Sequence, residues 1–136
     1  MPLNNIDQHF LQIAQMQGQK TTSSKKRGAV LAEGNKILGV GTSAHLDPAE
    51  AAGGMQETGE HYVATINAEV VCLGSAIRAG GNLNQATMYS SDQPNWITFK
   101  ILVALGIKRL VYYGPVKMPR IVEYANRMNI ENIVVG

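Results

Sequence analysis

Cysteine is all but missing from this chain. Cys72 stands alone among 136 residues, which excludes an internal disulfide framework and a zinc site built from cysteines. Long apolar runs are missing too, and none approaches the roughly 18 residues that a membrane span would need. The opening residues, Met1-Pro-Leu-Asn-Asn-Ile-Asp7, lack the basic-then-apolar order of a signal peptide. An excess of either charge is equally scarce. Twelve Lys and Arg against ten Asp and Glu leave +2, which gives no reason to expect nucleic acid or a membrane as partner. These absences together lead us to expect a soluble protein of a reducing compartment, the cytoplasm.

What is present describes one ordinary globular domain. Hydrophobic residues make up 45% and charged residues 16%, too apolar and too little charged for a disordered segment. A length of 136 residues matches a single domain of roughly 150 and can bury about two-thirds of its unfolded surface. No internal repeat or low-complexity linker divides it, so residues 1–136 are read as one domain.

The pattern predicts helices over Asn5–Gly18, Asn67–Gly80, Pro94–Leu105 and Pro119–Met128. Asn4 or Asn5 caps the first, and Pro94 occupies the first turn of the third. Strands are expected at Gly28–Ala32, Lys36–Val40, Ala86–Ser90, Lys108–Tyr112 and Asn132–Val135, with a tight hairpin at Glu33-Gly34-Asn35. Ser43–Thr65 carries Pro48, Gly53-Gly54 and Gly59 and reads as a long loop. The expected architecture is α/β in three layers. A five-stranded mixed sheet begins with an antiparallel hairpin and continues in parallel βαβ units between helices.

Two helix starts hold the informative residues: Asn67-Ala68-Glu69 and Pro94-Asn95-Trp96-Ile97-Thr98. Sites in open α/β sheets form at the carboxyl ends of strands, where helices begin and their N–H groups and dipoles favour negative charge. In this order, with Arg27-Gly-Ala-Val30 before and Leu105-Gly-Ile-Lys-Arg-Leu-Val-Tyr-Tyr113 after, the chain resembles the zinc-dependent cytidine/deoxycytidylate deaminase superfamily, its dCMP deaminase branch most of all. The signature of that family is H-x-E…P-C-x-x-C, in which His and two Cys hold Zn²⁺ and Glu moves protons. The resemblance implies the cytidine-deaminase fold, a nucleotide-type ligand and a homo-oligomer. It also makes Glu69 the counterpart of the proton shuttle.

At the ligand positions, however, this chain has Asn67, Asn95 and Thr98. Carboxamides and a hydroxyl are poor ligands for Zn²⁺. Zinc is therefore expected to be lost, and no cofactor is expected in its place. Without the ion, water keeps a pKa near 15.7 rather than about 7. A lone carboxylate supplies only about 10²–10⁴ by general acid–base catalysis. The expectation is a catalytically inactive relative that binds or sequesters a nucleotide, or serves as a structural or regulatory subunit of an oligomer. The alternative is an active hydrolytic nucleotide deaminase with a relocated or absent metal; a relocated one would draw on His61, Glu69 and Cys72.

Each candidate residue also has a plainer reading. Asn67 and Asn95 are good N-caps, and capping is favoured for both over pairing with a base edge. Glu69 is a remnant shuttle, a base-reading acceptor, or a residue placed for the helix dipole. In the family a G-x-N stretch helps to hold the nucleotide, and here Gly41-Thr42-Ser43 offers Ser43. Trp96 is either a stacking platform or a core plug. The hydroxyls and cations of Thr21–Arg27, Lys25 and Arg27 among them, suit a phosphate or form a solvated loop. Leu110-Val-Tyr-Tyr113 reads as core and as a subunit contact.

Overall fold

The computed structural model describes residues 3–21, 26–47 and 65–136. Helix α1 spans Asn5–Gly18 and is capped by Asn4. The Asn4 side chain accepts from Asp7 N at 2.8 Å, and Asp7 accepts in return from Asn4 N. Two of the orphan donors of the first turn are thereby satisfied. Strands β1 (Gly28–Glu33) and β2 (Lys36–Thr42) pair antiparallel. Their tight turn needs Gly34, whose φ of 58° is left-handed.

Ala44–His45 (β3) and Thr65–Ile66 (β4) form a two-residue antiparallel ladder, so the ends of the expected Ser43–Thr65 loop are tied together. Residues 48–64, including His61, lie outside the described residues. The remaining elements are α2 (Ala68–Arg78), β5 (Thr87–Ser90), α3 (Trp96–Ala104), β6 (Arg109–Tyr113), α4 (Pro119–Arg127) and β7 (Glu131–Val135). Helix α3 starts two residues later than expected. Asn95 takes the cap with its side chain, which leaves Pro94 before the helix instead of in its first turn.

The sheet runs β2-β1-β5-β6-β7. β5, β6 and β7 are parallel to one another, and β1 joins β5 antiparallel. It is the mixed α/β sheet the sequence implied. Strand alternation divides the core in two. Ala29, Leu31, Met88, Leu110 and Tyr112 face α2, α3 and α4, which bring Cys72, Leu73, Phe99, Leu102 and Ile121. Val30, Ala32, Tyr89 and Val111 face α1 with Phe10, Leu11 and Ala14. Leu110, Val111 and Tyr112 are buried within the chain because β6 lies between β5 and β7. They are core as expected, and Tyr113 at the strand end is half-buried against the α1 side.

Glycine sets how closely α2 approaches β2. A Cβ on Gly41 would lie 2.3 Å from Ala68 O and 2.5 Å from Cys72 N, so only glycine lets the helix backbone rest on the strand at this point.

Candidate functional site

β5 and β6 end on the same edge of the sheet, and α2 and α3 start there. This placement brings Asn67, Asn95 and Thr98 together. Asn67 Nδ2 donates to Thr98 Oγ1 at 2.9 Å, and Thr98 N donates to Asn95 Oδ1 at 2.8 Å. Asn95 is the cap the sequence suggested. Asn67 occupies the capping position of α2 but makes no side-chain cap bond. Its amide reaches across to α3, which corrects the capping expectation: a hydroxyl 31 residues away competes successfully for the same side chain.

Glu69 points inward from the first turn of α2 and is 4% exposed. Burial raises the pKa of its carboxyl, and nearby Asp92 adds to the rise. Hydrogen bonding from its own main chain, the Ser90 hydroxyl and the charge of Arg27 act in the opposite direction. Ser90 is fully buried, and its Oγ has no partner of good hydrogen-bond geometry among the described residues. This corner of the site thus contains a carboxyl inclined to keep its proton beside a hydroxyl with unspent capacity. A carboxyl whose folded pKa lies above the unfolded value, 4.5, stabilises the fold fully below that value. The benefit is lost as pH rises through the folded pKa. Glu69→Gln is therefore expected to be more stable than wild type at neutral pH by about 0.5–2 kcal/mol. Denaturant unfolding at a series of pH values should show that gap closing as pH falls towards 4.5.

The loops around this edge are held by residues that motif reading missed. Gln93 Oε1 accepts from Lys117 N and Met118 N, and its Nε2 donates to Met118 O and to Tyr112 OH. The segment after β6 is thereby clamped to the segment after β5. Asp92 Oδ2 bridges Arg27 Nε at 3.2 Å and Lys117 Nζ at 2.9 Å. The signal available in the sequence was position alone, since Ser90 to Gln93 link a strand end to a helix start.

The other candidates disperse. Ser43 is buried at the end of β2, where its carbonyl accepts from Thr21 Oγ1 at 2.6 Å and its N–H donates to Arg27 O. Arg27 reaches the rim through Asp92, and Lys26 Nζ donates to Thr21 O. Lys25 lies outside the described residues. Trp96 leaves α3 on the side roughly opposite Thr98. It stacks on Phe99 at 5.9 Å and meets Tyr124 edge-on at 5.4 Å, under the guanidinium of Arg120. It forms part of an apolar groove of about 310 Å³ between α3 and α4.

A zinc ion does not fit the donors at the three signature positions. Two carboxamides and a hydroxyl are there, and they already spend hydrogen bonds on one another and on the α3 backbone. Cys72 belongs to the core: its thiol donates to Gly39 O at 3.3 Å, and burial pushes its pKa up to about 12, which disfavours the thiolate a metal would need. Among the described residues no three His, Cys, Asp or Glu cluster as a metal site would require.

The same arrangement of helices and strands occurs in solved structures. The dCMP deaminase of the cyanophage S-TIM5 in apo form aligns with a TM-score of 0.78 at 15% identity, over 99% of this chain and 100% of that one. The form in complex with dCMP and dUMP gives 0.80 at 14% identity over the same shares. A diaminohydroxyphosphoribosylaminopyrimidine deaminase/5-amino-6-(5-phosphoribosylamino)uracil reductase from Thermotoga maritima gives 0.68 at 18% identity, over 95% of this chain and 36% of that one. No protein-family model and no curated protein matches the sequence.

Proposed function

From a chain that has the cytidine deaminase-like fold, we propose a zinc-free, non-hydrolytic protein that binds a nucleotide-type small molecule at the edge where α2 and α3 begin. The observation that carries this reading is the bonded run Asn67–Thr98–Asn95. Its residues occupy the signature positions as two carboxamides and a hydroxyl, poor zinc ligands that bond instead to one another and to the α3 main chain. Water is then left without the ion that would acidify it. Glu69 alone does not replace that ion, because general acid–base catalysis by one carboxyl supplies only about 10²–10⁴. What the site retains is recognition: a carboxyl with donor and acceptor capacity, the Ser90 hydroxyl, and the positive ends of two helix dipoles. The complex of the cyanophage enzyme with dCMP and dUMP gives the class of ligand to try first.

Thermal denaturation with dCMP, dUMP and a panel of purine and pyrimidine nucleotides tests this. A ligand at 100 times its Kd adds about 2.7 kcal/mol and shifts the midpoint by several degrees. Conversion of dCMP to dUMP, or one zinc per chain in the purified protein, would overturn the reading. So would a panel in which no nucleotide moves the midpoint. As a companion result, the variant carrying Asn67→His, Asn95→Cys and Thr98→Cys is expected to take up one zinc per chain where the wild type takes none. Elemental analysis would check it.

A further inference from the structure

β7 closes one side of the sheet and, among the described residues, pairs only with β6. Two main-chain bonds show how its polar groups are used. Glu131 N donates to Lys108 O and Gly114 N donates to Val135 O, both at 2.9 Å. In a parallel ladder alternate residues turn N–H and C=O towards the same neighbour. Glu131, Ile133 and Val135 therefore serve β6, while Asn132 and Val134 direct N–H and C=O away from it. A cavity of about 480 Å³ runs along this edge, lined by Asn126, Asn129 and residues 130–133. Beside it the Asn132 Oδ1 is buried and has no hydrogen-bond partner among the described residues.

Natural sheets guard such edges with lysine, proline, bulges or a covering element. The side chains of Asn132 to Gly136 are uncharged, and there is no proline among them. The nearest charge, Glu131, is drawn aside by Arg109 at 3.2 Å, and Val134 is 40% exposed.

We propose that a second copy of this chain adds to β7 antiparallel, with the two-fold axis at Ile133. Asn132 then stands opposite Val134 of the partner subunit, and the reverse pair completes the set. Both are pairs whose main-chain groups already face outward, so four N–H···O bonds form across the axis. The charge of Glu131 falls opposite Val135 of the partner subunit, so no like charges stand directly opposite one another. The contact is isologous, so it consumes both free edges and stops at two. Donors on the added strand also arrive beside the unsatisfied Asn132 Oδ1. Nothing in this interface depends on what binds where α2 and α3 begin.

Light scattering coupled to gel filtration, with amide hydrogen exchange, decides the question. Wild type is expected at twice the mass of one chain at high concentration and to dissociate on dilution. Val134→Pro removes an outward N–H and leaves the β6 ladder intact, and Val134→Lys guards the edge with charge. Both are expected at single-chain mass with unchanged circular dichroism. In Val134→Lys the amides of Asn132 and Val134 should exchange about ten-fold faster or more. If the proline variant does not fold, the lysine variant and the exchange rates decide. Wild type at single-chain mass throughout, or a dimer that Val134→Lys leaves intact with those amides unprotected, would overturn the proposal.

Discussion

Replacing Asp7 by Asn should lower stability by about 3–5 kcal/mol, the loss expected when one partner of a buried ion pair is removed. In a domain this size that moves the melting temperature by on the order of 10 °C or more. Asp7 is 1% exposed and collects three bonds from outside its own helix: two from the Arg109 guanidinium, each at 2.6 Å, and one from Tyr89 OH at 2.7 Å. It also completes the cap of α1, so one carboxylate starts that helix and fastens it to β5 and β6. Burial alone would raise the Asp7 pKa, but the hydrogen bonds and charge of Arg109, with Tyr89, hold it below 3.8. Its stabilisation is therefore complete above the unfolded value and is lost as pH falls through the depressed folded pKa. Unfolding curves should show the gap between wild type and Asp7→Asn steady near neutrality and narrowing below pH 3.8. Glu131→Gln, which touches the same Arg109 from a more exposed position, should cost no more than about 1 kcal/mol.

A second large effect is expected from one methyl group on Gly41. The added Cβ would overlap Ala68 O and Cys72 N, which are main-chain atoms that cannot rotate away. Helix α2 must move off β2, and the cost is about 1–3 kcal/mol. The shift starts one residue after Asn67, so the 2.9 Å bond to Thr98 should be lost as well. Nucleotide binding should weaken more than stability alone explains. The same substitution at Gly74 carries the opposite sign. Among the described residues that Cβ would meet only the end of the Arg78 side chain, at 3.4 Å, and replacing a mid-helix glycine gains about 0.5–1 kcal/mol. Comparing the two variants by chemical denaturation separates crowding at the strand from any general effect of alanine.

Most of the architecture was legible because it is written locally. The short apolar run Gly28–Ala32, an asparagine cap at position 4 or 5, Gly34 in its turn and the apolar stripe of Asn67–Gly80 are local signals, and the elements they predict are all present, with Asn4 as the cap. The antiparallel join of β1 to β5 was not legible. It is a choice of neighbour made across more than fifty residues, and either strand would look the same in the other direction. The β3–β4 ladder has only two residues on each side, too few to show a period. At the site, sequence order brought Asn67, Asn95, Thr98 and Glu69 to attention, and the first three do meet. The propensity of Asn for helix starts pointed Asn67 to the wrong partner, because its bond to Thr98 depends on how two helices sit side by side. Gln93 and Ser90 carried no motif at all. Their importance follows from the four hydrogen bonds of Gln93 and from the place of the buried Ser90 hydroxyl beside Glu69.

Gln93 and its neighbour Asp92 tie down adjoining stretches of chain by different means. The Asp92 bridges to Arg27 and Lys117 join partly exposed charges, which salt screens over about 8–10 Å. The Gln93 clamp is neutral and largely dry, so dissolved ions have little hold on it. Raising ionic strength should therefore loosen the Arg27–Asp92–Lys117 bridges while the Gln93 clamp holds, so that of two adjoining ties one answers to the medium and the other does not.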